Sequence, residues 1–440
     1  MRRSAAIFLL GLLFGISTFA GVPAEGSRAL AAEDSIETEE DASAGAADVT
    51  EEDVSAGSAD TTGETMSAEE ELAAGYTIGV SVYDPEDWEA IAFRDYFEDY
   101  LGTAFNTTFY YNAERIDTAE DEIAFVEELH EAGVKGIISF LSTYIEDVLP
   151  VCEEYGMYYV LGSGTISDEV YENVKDNPYF LGTIGPTSED EQTAGETLAE
   201  NLAALDESGS ASYLVVTGGS GIGNEMHRLR TIGILTKLQE IYGLTYDQSI
   251  EELAAITETT EIETGTDVRI TIFPGYLVDG SEVGEAVTGG EYTMVISAMT
   301  IANAITNICN AEAENGYDIK VGMVDCFTDQ NYAFFNETDA NGDSKLNCLV
   351  GKYGAIVGPS FVAMCNAYAG YADDFRDEDG CAFRLYQTYW YAADTEEFNE
   401  LYAQSISTYE NTYSATDMMQ VLKLYNADAD YAAFQEFAEK

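Results

Sequence analysis

The segment NEMHRLRTIG, residues 224–233, concentrates basic side chains in a chain that has very few of them. The chain holds 82 Asp and Glu residues against 18 Lys and Arg and two His. A guanidinium near the start of a helix offers directional N–H donors to hydroxyl groups or to a carboxylate. The segment therefore predicts a ligand contact by Arg228 or Arg230. The alternative is that the two arginines neutralise surface acids such as Glu225.

A glycine-rich stretch, VTGGSGIG, precedes this segment and resembles the dinucleotide-binding loop of short-chain dehydrogenases. The stretch is one residue short between Gly218 and Gly221, and it lies in the middle of the chain instead of after the first strand. The Tyr-x-x-x-Lys motif at 171–175 precedes the loop, whereas in those enzymes it follows the loop. We therefore expect no dinucleotide and no other cofactor.

Aromatic and acidic side chains follow the first predicted strand, in SVYDPEDWEAI (81–91). Tyr83 and Trp88 can stack on the apolar face of a sugar ring while Asp84 accepts hydrogen bonds from its hydroxyl groups. Alternatively, Trp88 packs the first helix against the sheet, and Asp84 caps that helix with Pro85 at its first position. The residues alone leave both interpretations open.

The segment DANGDSK (339–345) partly matches a calcium-binding loop, with Asp339 at its first position. The sixth position is Ser344 instead of glycine and the twelfth is Val350 instead of glutamate, so a polar turn is the better interpretation. His130 and His227 are too isolated for a metal site or a catalytic triad, and no G-x-S-x-G motif occurs. We predict no catalytic residue and no metal ligand.

The formal net charge of −64 argues against a nucleic-acid partner or an anionic membrane surface, because binding to phosphates needs clustered Lys and Arg. A solvated acidic surface explains the charge. Six cysteines are widely spaced without a C-x-x-C pair, which disfavours zinc. Disulfides and buried free thiols both remain open for these cysteines.

The first residues have the layout of a secretory signal peptide, with Arg2 and Arg3 before an apolar run. We predict a signal peptide over 1–24, with cleavage as late as residue 31 as an alternative. No cysteine lies nearby for lipid attachment, and an uncleaved membrane anchor is the other interpretation. Residues 33–75 form an acidic spacer without basic residues, whose composition predicts disorder. The protein is therefore expected to be exported to the cell envelope or beyond.

From Tyr76 onward, short apolar runs alternate with amphipathic helices. This alternation predicts parallel strands joined by right-handed helical crossovers. The fold class is thus α/β, with two Rossmann-like lobes. The predicted strands are 76–82, 107–112, 135–141, 158–164, 179–186, 212–219, 268–275, 292–299 and 318–325, and a helix is predicted over 225–242.

The order of these units resembles the type I periplasmic binding proteins, which bind sugars for ABC transporters. Two segments carry the resemblance: AFVEELHEAGVKGIISFLSTYIEDVLPVCEEYGMYYVLG and YTMVISAMTIANAITNICNAEAENGYDIKVGMVD. The resemblance spans roughly 76–370. It implies a ligand cleft between two lobes at the carboxyl ends of the strands, with hinge closure around the ligand.

The resemblance also implies domain boundaries. The N-terminal lobe would comprise 76–184 plus 326–352, the C-terminal lobe 185–325, and the hinge return with a helical C-terminal segment 353–440. The three crossing segments of the hinge would fall near 183–188, 326–331 and 350–358. Neither composition nor a motif assigns a role to 245–290 or to the tail after 375, which either covers the cleft or packs on the first lobe.

Strand ends and resemblance together select the candidate ligand-binding residues. In this resemblance MHRLRTIG matches a family segment that supplies an arginine, and Asp325 matches an aspartate that commonly binds sugar hydroxyls. Ser163, Thr300 and Lys352 stand where many members have other polar residues, which puts the standard monosaccharides in doubt. The candidates are Tyr83, Asp84, Trp88, Ser142, Ser163, Arg228, Arg230, Thr300, Asp325 and Lys352.

These features predict a monomeric solute-binding protein that holds a sugar-like ligand and serves an ABC permease. Two alternatives remain: a tethered sensor domain acting through a membrane receptor, and a secreted α/β enzyme. The enzyme would need a nucleophile and a base at the strand ends, and the sequence offers no suitable pair.

Overall fold

The computed structural model describes residues 75–275, 281–406 and 412–440, which belong to one compact unit, Glu64–Lys440. The predicted signal peptide (1–24) and nearly all of the predicted acidic spacer (33–75) lie outside the described residues. None of the helices in the described ranges has the length and apolar character needed to cross a bilayer.

The first sheet has six parallel strands in the order β12-β5-β4-β3-β1-β2. Its central strands are buried on both sides, which explains their continuous apolar runs. The strands of this first lobe are β1 (Tyr76–Ser81), β2 (Thr107–Tyr111), β3 (Gly136–Ser139), β4 (Tyr158–Gly162), β5 (Phe180–Gly185) and β12 (Phe383–Tyr386).

The second sheet has seven strands in the order β13-β11-β10-β9-β6-β8-β7. Its five central strands are parallel, and the two edge strands β13 and β7 pair antiparallel. The strands of this second lobe are β6 (Ser212–Val216), β7 (Thr260–Ile262), β8 (Arg269–Phe273), β9 (Met294–Ser297), β10 (Lys320–Phe327), β11 (Cys348–Tyr353) and β13 (Trp390–Ala392).

Helices connect the strands, and several of them begin at side-chain caps. Thr118 and Thr187 each form a capping box, and Asn224 accepts a hydrogen bond from the His227 N–H. The helices are α1 (Trp88–Asp95), α2 (Ala119–Glu131), α3 (Ile145–Tyr155), α4 (Asp168–Val174), α5 (Ser188–Ala203), α6 (Glu225–Tyr242), α7 (Ile250–Ala254), α8 (Ser281–Gly289), α9 (Ile305–Asn315), α10 (Asp329–Asn336), α11 (Gly358–Tyr368), α12 (Thr395–Ile406), α13 (Ala415–Val421) and α14 (Tyr431–Ala438). A π-helical segment, Tyr96–Gly102, continues α1.

The predicted assignment of 326–352 to the first lobe needs correction. β11 pairs in parallel with β10 along its whole length, so both strands belong to the second sheet. The chain therefore does not cross at 326–331, because α10 only connects two neighbouring strands of one sheet. The predicted crossings near 183–188 and 350–358 coincide with connections between the sheets.

Three segments pass between the sheets: 186–187, 354–357 and 387–389. Gln387 ties them together. Its N–H donates to Gly185 O at 3.1 Å, and its Nε2 donates to Ile356 O at 3.0 Å. Because these bonds lie where the lobes meet, they couple the three strands of the hinge to one another.

The sequence predicts no role for 245–290 or for the tail after 375, and in the structure both contribute strands and helices to the lobes. Residues 245–275 contribute α7 and the β7–β8 pair at one edge of the second sheet. The tail after 375 serves both lobes: β12 extends the first sheet, β13 extends the second, and α12 packs on β10, β11 and β13. The tail is thus part of the folded body and does not pack on the first lobe alone.

Candidate functional site

The carboxyl ends of the strands in the two lobes meet at helix α1. This helix of the first lobe packs against β10 and β11 of the second. Lys352 Nζ lies 3.1 Å from Glu89 Oε1, which forms an ion pair between the lobes. We call this region the strand-end junction; it comprises Asp87, Trp88, Glu89, Thr300, Asp325, Asn331 and Lys352.

Asp325 is the centre of the polar network on the second lobe. Thr300 Oγ1 donates to Asp325 Oδ2 at 3.0 Å, and Asn331 Nδ2 donates to the same oxygen at 2.7 Å. The same amide nitrogen of Asn331 also donates to Cys326 O at 2.8 Å, so two hydrogen bonds fix the orientation of this side chain. Burial raises the pKa of Asp325 to about 7, and the negative charges of Asp87 and Glu89 add to the shift. The network therefore presents a carboxyl group whose orientation is set by two neighbours.

The first lobe contributes the start of α1. Asp87 caps the helix, since its carboxylate accepts a hydrogen bond from the Glu89 N–H at 2.8 Å. Burial, and then the charge of Glu89, raises the pKa of Asp87. Trp88 is 42% exposed, so packing against the sheet buries only part of its indole. A partly open aromatic face thus lies beside carboxylates at the junction.

Tyr83 and Asp84 lie in the turn before this helix and interact with Arg115. The Arg115 guanidinium lies over the Tyr83 ring at 4.6 Å and donates to the Tyr83 hydroxyl. Asp84 accepts a hydrogen bond from the Glu86 N–H and lies 3.9 Å from Arg115 Nε. The helix starts three residues after Pro85, so Asp84 is not its cap, and both side chains remain partly exposed.

Ser142 and Ser163 follow β3 and β4 in the first lobe. Ser142 is half-buried. Ser163 is 3% exposed and adopts a φ of 52°, a left-handed conformation that is costly for a residue other than glycine. Strained backbone positions of this kind cluster at functional sites, which is consistent with a ligand contact by Ser163.

Several buried polar atoms have no hydrogen-bond partner within the described part of the chain, and Ser163 Oγ, Thr217 Oγ1 and Asn331 Oδ1 are among those near strand ends. Ser163 follows a strand of the first sheet, whereas Thr217 and Asn331 follow strands of the second. A buried polar atom left unpaired costs about 1–3 kcal/mol, so such atoms need an explanation. Sequence reasoning missed Thr217 and Asn331, because nothing in their spacing distinguishes them from other strand-end residues.

Arg228 and Arg230, the residues of the cationic segment, both pair within the protein. Arg228 donates to Glu225 at 2.6 and 2.7 Å on the helix surface. Arg230 is 7% exposed, and three of its nitrogens donate to Glu191 at 2.6 Å, Tyr389 at 2.9 Å and Ala298 O at 3.3 Å. These pairs favour the alternative interpretation, in which Arg228 neutralises the surface acid Glu225 and Arg230 holds Glu191 and Tyr389 in place. A ligand contact by either arginine stays a prediction.

The glycine-rich stretch forms a 3-10 turn, Gly218–Ile222, that packs against α6 and α7. The Gly219 N–H donates to His227 Nδ1 at 3.0 Å, and Ser220 Oγ donates to Ala254 O at 2.6 Å. Burial lowers the pKa of His227 to about 3, and the charge of Arg230 adds to the shift. This histidine is thus a neutral acceptor for the turn.

The calcium-like segment is a polar turn. Asp339 Oδ1 accepts hydrogen bonds from the N–H groups of Asn341, Gly342 and Asp343 at 2.8 to 3.1 Å. The side chain that would start a calcium loop therefore closes its own backbone turn. All six cysteines are free thiols in the structure.

A buried acid lies beneath the first lobe's strand ends. Glu122 of α2 is fully buried, and its Oε1 accepts hydrogen bonds from Ser81 Oγ at 2.9 Å and Ser139 Oγ at 2.6 Å. The two serines are the last residues of β1 and β3. Burial raises the pKa of Glu122 to about 7, which the two serine hydrogen bonds only partly oppose.

Glu122 predicts a pH dependence of stability. The folded state holds the proton of the Glu122 carboxyl group more tightly than the unfolded state does. The stabilisation of the folded state by protonated Glu122 is therefore fully present below about pH 4.5 and is lost as the pH rises through about 7. We expect Glu122→Gln, which mimics the protonated form, to match the wild type near pH 5 and to exceed it by about 2–3 kcal/mol near pH 8. Urea denaturation at both pH values measures this difference. An equal difference at both pH values would show that Glu122 does not titrate in this range.

Similar folds are found among solved structures of solute-binding proteins. One is an ABC transporter periplasmic solute-binding protein from Actinobacillus succinogenes with bound D-allose; it is 13% identical, has a TM-score of 0.54, and the match covers 74% of this chain and 99% of that chain. A second is a galactofuranose-binding protein at 17% identity and a TM-score of 0.53, covering 75% of this chain and 98% of that chain.

A third is a periplasmic sugar-binding protein from Pseudomonas fluorescens, 11% identical with a TM-score of 0.54, covering 80% of this chain and 95% of that chain. No protein-family model and no curated protein sequence matches the chain. At these identities the likeness concerns the fold. Two parallel-stranded lobes, a three-segment hinge and these structural likenesses together confirm the predicted fold class: the chain has the type I periplasmic binding protein fold.

Proposed function

We propose that the protein is an exported solute-binding protein that captures one small polar ligand, a sugar or related polyol, at the strand-end junction. The Asp325 network carries this proposal. It places an oriented carboxyl group between the two lobes, at the edge of the sheets where doubly wound folds bind ligands. The three similar solved structures are described as binding proteins for solutes or sugars, which supports a binding role over catalysis.

The chemistry of the junction suits a polyol. Asp325 and Glu89 offer acceptors to hydroxyl groups, and Lys352 offers a donor. The Trp88 indole can stack on the C–H face of a sugar ring. Ligand contacts are proposed for the junction residues together with Tyr83, Asp84, Ser142 and Ser163; the orphan hydroxyl of Ser163 is the kind of group that a bound hydroxyl would satisfy.

Ligand capture would use the hinge. Opening the lobes separates Lys352 from Glu89, and a bound polyol can replace the contacts that each group loses. The predicted export signal supports a location outside the cytoplasm, and we propose that the protein acts there as a monomer that delivers the ligand to an ABC permease. Delivery to a membrane sensor is the alternative use of the same binding event.

A thermal-shift screen of pentoses, hexoses and polyols tests this function. A ligand at about 100 times its Kd adds about 2.7 kcal/mol to the stability of the folded state, which raises Tm by a few degrees. We expect one sugar or a small group of related sugars to stabilise the protein. A complete panel without any shift would contradict the proposal.

A further inference from the structure

A cavity of about 250 Å³ lies behind the strand-end junction, between the two lobes and the C-terminal helix α12. We call it the acidic cavity and define it by Trp88, Asp95, Asp99, Tyr100, Asp329 and Tyr402. Its walls come from α1 and the π-helical segment of the first lobe, the start of α10 in the second lobe, and α12. π-helical turns are rare and occur frequently at functional sites.

Every charged side chain that lines this cavity is acidic. Asp95, Asp99 and Asp329 face the same space, and no Lys or Arg is present among the described lining residues. Burial, and then repulsion from Asp99 and Asp329, raises the pKa of Asp95. Arg94, which neighbours Asp95 in sequence, has other partners, since it donates to Pro85 O at 2.8 Å and lies over the Tyr111 ring. The cavity therefore favours a positively charged occupant.

Aromatic rings provide the rest of the binding surface. Trp88 is partly exposed at one wall, and Tyr402 is held at the other by stacking on Tyr332 with 4.8 Å between ring centroids. The Tyr402 hydroxyl donates to Asp329, which fixes this carboxylate beside the ring. Aromatic faces attract cations and also cover methylene groups. The combination of ring faces and carboxylates is suited to an organic ammonium ion.

The carboxylates are not arranged for a metal ion. Within the described ranges, no group of three His, Cys, Asp or Glu side chains is close enough to hold one. Separated carboxylates along an apolar wall suit a longer cation, because its charged ends can pair at different points while its chain contacts the rings. We propose that the acidic cavity binds a small aliphatic diamine, with its ammonium groups at the aspartates and its methylene chain against Trp88 and Tyr402.

Calorimetric titration of the full-length protein with putrescine, the butane diamine, at physiological salt tests this site. We expect saturable binding of one molecule per chain. The double variant Asp95→Asn/Asp99→Asn should weaken binding by about tenfold or more, because it removes two of the three charges. Butane diol, which has the same length without the charges, should not bind.

The control addresses the diffuse attraction of any cation to a chain with a net charge of −64. Asp147→Asn/Asp267→Asn removes the same charge from two exposed positions outside the cavity and should leave putrescine affinity unchanged. Equal weakening in both double variants, binding of the diol, or the absence of saturable putrescine binding would each overturn the proposal. Because Trp88 borders both sites, a parallel titration of each variant with the stabilising sugar measures sugar binding separately.

Discussion

Arg230→Met is expected to lower the free energy of unfolding by about 3–5 kcal/mol, because it leaves the Glu191 carboxylate buried without its cation. The two side chains are 8% and 0% exposed and lie 2.6 Å apart. Tyr389 of the hinge donates to Glu191 at 2.9 Å, so the loss also loosens the connection between the lobes. Chemical denaturation measures the change.

Arg228→Met is the matched control. It removes the same charge two residues earlier on the same helix, but its pair with Glu225 is partly exposed, and such pairs contribute about 0.2–1 kcal/mol. The double variant Arg230→Met/Glu191→Leu should recover part of the loss, because no buried charge is left unpaired. If Arg230→Met and Arg228→Met lowered the free energy of unfolding equally, the view that Arg230 stabilises the fold more than the surface residue Arg228 would be wrong.

Asp325→Ala is expected to weaken sugar binding by about 2 kcal/mol, or about 30-fold, because it removes the oriented carboxyl group of the junction. Asn331 and Thr300 would remain without their shared acceptor. The affinity for the sugar that gives the largest thermal shift measures the effect.

Asp267→Ala serves as the control for Asp325→Ala, since Asp267 is an exposed acid that precedes β8, at the amino end of that strand and away from the strand-end junction. It should leave the affinity unchanged. Circular dichroism of both variants distinguishes lost binding from lost folding. Unchanged affinity in Asp325→Ala would place the ligand away from the strand-end junction.

The fold was largely predictable because apolar periodicity reports directly on burial. The predicted helix over 225–242 coincides with α6. Eight of the nine predicted strands each contain an observed strand, and the ninth, 318–325, overlaps β10 (Lys320–Phe327). The one error of lobe assignment concerned β11. The apolar sequence of β11 indicates that the strand is buried, but it does not indicate which strand lies beside it. Pairing with β10 uses backbone hydrogen bonds, which any apolar strand can form.

The site was less predictable because its charged side chains pair with residues that are far away in the sequence. Arg230 and Glu191 are 39 positions apart, and Lys352 and Glu89 are 263 positions apart. No local pattern shows that Arg230 is held by a glutamate of the preceding helix or that Asn331 orients Asp325. The strand-end rule located Asp325, Thr300 and Lys352 at one edge, whereas the roles of the arginines required the packed structure.

Calorimetric titration with the stabilising sugar tests the central claim most directly, because one experiment reports both binding and turnover. We predict heats that saturate at one sugar per chain and then cease, as expected for a protein that holds its ligand unchanged. Sustained heat flow after each injection would reveal catalysis, and the absence of any saturable heat would exclude the proposed solute. Either result would contradict the assignment of the strand-end junction as a sugar-binding site.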